Sequence, residues 1–244
     1  MIVWFLCFVL YCFWGWLLES LFCSLTGRRF VNRGFLNGPL MPCHGLCAVA
    51  AVYFLYGHTE SLFLLLIAGV LFSCAFEYMT AFILEKTFGL RFWDYSHTRV
   101  SIHGRVNFVR LPFSAILCAV LVLHVHSHLL ALIALIPSDI ARILAAFFVC
   151  VIGFDTLYVI RFLSRLDGRL REIQTAIDNY IRTSNLAVRR NYSPLLNSFR
   201  KSPHCSARVR ALIIRDHRQT RRLILAFLRI SHSNYPEALY LLKT

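Results

Sequence analysis

The chain has 244 residues, of which 58% are hydrophobic and 16% charged, and its mean hydropathy is +0.61. Soluble domains carry about 45–50% apolar and about 25% charged residues, so an ordinary water-soluble globular protein is excluded. The formal charge is +14, and residues 161–244 hold 17 Lys and Arg against 5 acids, a net +12, while residues 1–160 net only +2. Two parts are expected: an all-α, polytopic membrane bundle over residues 1–160 and a basic, amphipathic helical tail over residues 161–244.

A membrane-crossing helix needs about 20 mostly apolar residues. Five spans are read, at about residues 2–25, 41–56, 61–84, 112–130 and 139–160. The piece 129–136 either prolongs the fourth span or lies at the interface. The first span lacks a basic leader region and a small-residue cleavage site, which reads as a signal anchor rather than a removed signal peptide.

The loops set an orientation. Arg28, Arg29 and Arg33 follow span one, and Lys86, Arg91, Arg99, Arg105 and Arg110 follow span three. The connections around residues 58–60 and 130–138 contain no Lys or Arg. The positive-inside rule then places the N-terminus outside, with both basic loops and the tail in the cytoplasm.

That orientation brings Glu19, Glu77 and Asp155, late in spans one, three and five, into the cytoplasmic third. Ionised groups in a membrane face protein or water and find partners, and Arg33, Arg105 and Arg110 are the candidates. Two readings stay open for these acids: locks between helix ends and loops, or a cytoplasm-facing polar cavity for a solute, proton or lipid head group. Glu19 and Glu77 lie about six and seven residues before their helix ends. They are expected at matched depth in one cluster with Arg33, with Arg105 nearby.

The first inner loop reads Asn32-Arg33-Gly34-Phe35-Leu36-Asn37-Gly38-Pro39-Leu40-Met41-Pro42. Two glycines widen its backbone choices and two prolines oppose helix, so an irregular, re-entrant start to span two is expected beside the plainer reading of a tight connection. The third loop, residues 85–111, is too long for a simple turn and is expected to pack on the bundle or fold into the membrane face. It carries Phe92-Trp93-Asp94-Tyr95-Ser96 and then His103-Gly104-Arg105. An aromatic interface belt explains the rings but not Asp94, which can pair with Arg33 or Arg105 or accept a proton.

These texts, together with Gly15-Trp16-Leu17-Leu18-Glu19, Glu77-Tyr78-Met79-Thr80 and Glu85-Lys86, resemble the putative ABC-transporter type IV family of bacterial membrane proteins over about residues 10–160. The resemblance implies a multi-pass, permease-like protein of the bacterial cell membrane, with a separate ATPase subunit as partner and no assigned binding residues. The chain departs from the family pattern at Cys43-His44, Ala81, Phe92 and Ser101-Ile102-His103.

From these strands of argument the candidate site residues are Glu19, Asn32, Arg33, Glu77, Asp94 and Arg105. No phosphate-binding GxxxxGK[ST] run, GxSxG, HExxH or zinc signature occurs, so no cofactor and no metal are expected, and any ATPase is another chain. Cys7, Cys12, Cys23, Cys74, Cys118 and Cys150 sit in apolar runs as small hydrophobes. Cys43 and Cys47 are four apart and share a helix face, for which a metal or redox role is the lesser reading. His124, His126 and His128 read as wet residues at the outer end of span four, beside the lesser reading that His124 and His128, which share a helix face, hold a metal.

In the tail, Leu163, Leu166, Leu170, Ile173, Ile177 and Tyr180 follow 3-4 spacing. The seam fits a short coiled coil, a groove ligand or a helix packed within its own chain. Residues 208–229 form a basic amphipathic stretch in which Arg208, Arg210, Arg215, Arg218, Arg221 and Arg222 are expected to meet anionic lipid; nucleic acid is not an expected partner. Membrane transport is the leading reading. A membrane-embedded enzyme acting on lipid or envelope intermediates, with Glu19 or Asp94 as base, and a scaffold with a recruiting tail are the alternatives.

Overall fold

The computed structural model describes residues 1–28, 30–59, 61–96, 100–109, 111–183, 231–232 and 234–243, with Phe199, Ser202, Cys205, Val209 and Thr220. The protein is all-α: helices α1 (Ile2–Gly27), α2 (Pro42–Leu55), α3 (Leu62–Phe88), α4 (Leu111–Val120), α5 (His126–Ala134), α6 (Ser138–Thr183) and α7 (Pro236–Lys243). Among the described residues the strands are two-residue pieces: β1 (Leu90–Arg91), β2 (Ser101–Ile102), β3 (Val106–Asn107) and β4 (Ser231–His232).

Among the described residues, four stretches are long and apolar enough to cross a membrane: Ile2–Leu25, Leu62–Phe88, Leu111–Ala134 and Ser138–Thr183. The third joins α4 and α5 through a π-helical turn, Leu121–Val125, so residues 129–134 prolong that span. The fifth apolar helix, α2, has 14 residues, about 21 Å at 1.5 Å per residue, short of a hydrocarbon core of about 30 Å. Large apolar side chains face outward all along the long helices, with Phe63 71% and Phe154 74% exposed. Helices apolar on every side belong in lipid.

The chain forms two compact units. The first comprises Met1–Ile83 and Asp94–Val159. Its core joins Leu6, Cys7 and Tyr11 of α1 to Val52 of α2, Leu65 of α3, Val122 of the π turn and Ala141 and Ala145 of α6. Small residues let the helices approach, as is usual in membrane bundles. A Cβ on Gly15 would lie 2.5 Å from His44 Cβ, and one on Gly45 would lie 2.3 Å from Cys12 Sγ.

The second unit comprises Leu84–Trp93 and Ile160–Thr244. The apolar seam of α6 packs within it: Leu163, Leu166, Leu170, Ile173 and Ile177 are at most 2% exposed, and Phe199, Cys205, Leu239 and Leu241 are buried in the same unit. Gln174 fixes the start of α7, its Oε1 accepting from Ala238 N–H at 3.1 Å and its Nε2 donating to Glu237 Oε2 at 2.9 Å. Strand β1 pairs antiparallel with β4, Leu90 opposite His232, and Arg91 forms an ion pair with Glu85 at 2.6 Å. Of the basic stretch 208–229 only Val209 and Thr220 are described, so Arg208, Arg210, Arg215, Arg218, Arg221 and Arg222 lie outside the described residues, as do Arg29, Arg99 and Arg110.

Candidate functional site

In the first unit, residues 30–41 form no helix; they climb back along one face of α1. Val31 N–H donates to Ser24 Oγ (3.0 Å), Arg33 N–H to Ser20 Oγ (3.3 Å), and Met41 N–H to the Cys12 carbonyl (3.1 Å). Between them, Trp16 Nε1–H donates to Asn32 Oδ1 at 2.8 Å. Residues 12, 16, 20 and 24 are four apart and share a helix face, and they span about 18 Å of α1. The limb is therefore re-entrant, and α2 begins beside the middle of α1. Pro42 suits that start, because the first helical position needs no N–H.

Non-helical backbone at membrane depth requires partners for its N–H groups, and the chain supplies them from side chains. Asn32 Oδ1 also accepts from Gly34 N–H at 3.1 Å. Gly34 is required by close approach: a Cβ there would lie 3.1 Å from Trp16 Cδ1 and 3.2 Å from two carbonyl oxygens. At the limb's tip Asp155 of α6 takes three donors. Its Oδ1 accepts from Asn37 N–H (3.2 Å) and Asn37 Nδ2 (2.8 Å), and its Oδ2 from Gly38 N–H (2.9 Å). Two consecutive backbone N–H groups converging on one carboxylate form an anion-holding nest.

Beside the limb, Arg33 Nε lies 3.3 Å from Glu19 Oε1, their side chains 18% and 16% exposed. Arg33 Nη1 also donates to Cys23 Sγ at 2.7 Å. This pair is neither sealed nor fully hydrated.

Arg105 is aimed by a hairpin. β2 and β3 pair with Ile102 opposite Val106, and Arg105 N–H closes the turn on the Ile102 carbonyl at 2.9 Å. The central residues His103 and Gly104 have φ of 49° and 70°, the positive values of a type I′ turn, where Asn-Gly is favoured and histidine is tolerated. The departure from the family pattern at His103 therefore leaves the turn intact. The Arg105 guanidinium lies 5.1 Å from the Tyr78 ring centroid and 5.4 Å from that of Phe82, and Nη1 meets Tyr78 Oη at 3.1 Å. Asp94 Oδ1 accepts from Ser96 N–H at 2.9 Å, and Tyr95 N–H donates to the Gly104 carbonyl at 2.8 Å. Glu77 is half-buried on α3, one residue before Tyr78.

Of the six candidates, Glu19, Asn32 and Arg33 thus share one α1 face with the limb, while Arg105 stacks on α3 and Asp94 holds the segment beside the hairpin turn. Asp155, grouped with the other acids by depth alone, proves to be the limb's main anchor. A second polar pair corrects the reading of His126 as wet: the ring is 2% exposed, and its Nδ1 lies 2.6 Å from Tyr11 Oη. Trp4 stacks on its ring at 5.9 Å and Tyr56 meets it edge-on at 4.5 Å. It follows directly on the π turn, a distortion frequent at functional positions. His124 and His128 are exposed, as read from sequence; His126, two residues from each, falls on the opposite face of the helix.

A family model described as putative ABC-transporter type IV matches residues 6–160. No curated protein and no solved structure matches the chain.

Proposed function

The chain belongs to the putative ABC-transporter type IV family, and from that premise we propose that it is the permease subunit of a bacterial transport system, with a separate ATPase subunit. In this reading residues 1–160 are the membrane bundle of the plasma membrane and residues 161–244 its cytoplasmic tail. The N-terminus is outside, and the polar site opens to the cytoplasm. The supporting observation is the re-entrant limb, because irregular backbone and a half-length helix inside a bundle belong where a cavity or a solute must be lined.

Glu19 and Arg33 offer one negative and one positive group to a solute, and Asn32 fixes the limb beside them. Asp94 and Arg105 order the second inner loop, and Glu77 lies next to its docking point on α3. Asp155 holds the tip closed until a competing anion or a motion of α6 frees the Asn37 and Gly38 N–H groups.

Affinity purification of the full chain after mild detergent extraction is expected to bring down an ATPase, and vesicles holding both chains are expected to take up solute only with ATP. Glu19→Gln and Arg33→Gln are then expected to lower uptake while leaving ATPase capture unchanged. A chain that captures no ATPase and supports no ATP-dependent uptake would contradict the proposal.

A further inference from the structure

Helix α6 is apolar from Ile140 to Ile160 apart from Arg142 and Asp155, and then carries Arg161, Arg165, Arg169 and Arg171 within eleven residues. From Arg161 to Thr175 its exposed positions are Arg161, Ser164, Arg165, Gly168, Arg171 and Thr175, with no acid among them. At 100° per residue these six fall within about 120° of one face.

Three acids lie near this face, and Glu172, half-buried within its 120°, is itself engaged. Asp167 bonds His232 at 3.2 Å and Asp178 bonds Gln174 at 3.1 Å. The guanidinium groups of Arg161, Arg165 and Arg171 make no hydrogen bond or ion pair among the described residues. Near the other end of the same helix the situation is reversed, since Arg142 forms an ion pair with Asp139. Gly168 leaves the middle of the face open, with nothing within 4 Å of where its Cβ would stand.

Depth decides what this face meets. The polar layer on each side of the hydrocarbon core is about 5–8 Å thick. Arg161 lies at the apolar boundary and Arg165 about 6 Å beyond it along the helix. Arg171 is about 15 Å along, yet helix side chains lean toward the N-terminus, which here is the membrane side. Guanidinium forks match phosphate oxygens in geometry and charge.

We propose that Arg161, Arg165 and Arg171 form a binding site for the phosphate head groups of anionic phospholipid in the leaflet from which α6 emerges. The site is distinct from the limb and does not depend on the permease reading.

The test is native mass spectrometry of the full chain released from nanodiscs of mixed phosphatidylglycerol and phosphatidylcholine. Arg161→Gln and Arg165→Gln are each expected to lower retained phosphatidylglycerol about fivefold, as about 1 kcal/mol per basic residue at a surface implies. The triple variant with Arg171→Gln is expected to lose the preference over phosphatidylcholine. Arg142→Gln is expected to leave it unchanged. Because all three side chains are exposed and make no hydrogen bond or ion pair among the described residues, matching circular dichroism spectra are expected for variants and parent. Undiminished phosphatidylglycerol in the triple variant would overturn the proposal. So would displacement of the lipid by millimolar inorganic phosphate, which would make a free anion the ligand.

Discussion

Asp155 carries more of the limb than any other single side chain, because three N–H donors end on its two oxygens. A buried donor left unmade costs about 1–3 kcal/mol. Asp155→Ala is therefore expected to destabilise the bundle by about 3 kcal/mol or more, and Asp155→Asn, which keeps one acceptor oxygen, by less; thermal unfolding in detergent checks the order. Tyr11→Phe removes the partner of His126 Nδ1 and is expected to cost about 1–3 kcal/mol by the same reasoning. In the second unit, His232 Nδ1 accepts from Asn234 and Tyr235 N–H at 3.1 Å each, and Nε2 faces Asp167. That arrangement holds the neutral ring. Burial pushes its pKa below the ordinary value of about 6.5, with Asp167 pulling the other way. The unfolded chain then binds the proton more readily than the fold does. Stability of this unit is full above about pH 6.5 and is lost as pH falls. Amide exchange at Leu90 and His232, corrected for intrinsic rates, is expected to speed up on acidification. Glu19, Arg33 and Asp155 stood out in the sequence because acids and arginines in or beside apolar runs are conspicuous. Tyr11 and His126 did not, because each is separately unremarkable and only the packing of two distant spans joins them.

At the scale of elements, the limb was legible as irregular from its glycines and prolines, but its course was not. That course depends on residues 12, 16, 20 and 24 of α1 sharing a face, and within an apolar span that face is marked by Trp16 and two serines alone. The shortness of α2 was hidden for a similar reason: residues 41–56 are apolar apart from His44, and nothing in them states that irregular chain lying along α1 precedes the helix. Gly45 sets how closely α2 approaches α1. A methyl there would meet Cys12 Sγ at 2.3 Å and Phe8 at 2.9 Å, so Gly45→Ala is expected to cost about 1–3 kcal/mol through overpacking. Unfolding in detergent, with Gly57→Ala as a comparison free of close neighbours though at positive φ, separates crowding from backbone strain. The fourth span continues to Ala134, which settles residues 129–134 in favour of the longer of the two readings open in the sequence. The tail's 3-4 seam was legible as a packing surface. That its partner is the chain's own second unit, with Gln174 fixing α7, required contacts more than sixty residues apart.

At the scale of the molecule, composition alone established a multi-pass membrane protein with a basic tail, and the family match covers the bundle. Orientation rests on the uneven distribution of Lys and Arg among the connections. The central claim of the account joins that orientation to the limb: the polar segment bearing Arg33, Asn37 and Gly38 is reached from the cytoplasm. Pro39 is the exposed residue beside the tip, and Pro39→Cys places a thiol there. The decisive measurement is labelling of this variant with a membrane-impermeant maleimide in inside-out and right-side-out vesicles, read as the increment over the parent chain. The account predicts labelling in inside-out vesicles and none in right-side-out ones; labelling from the outer face, or none from the inner, contradicts it.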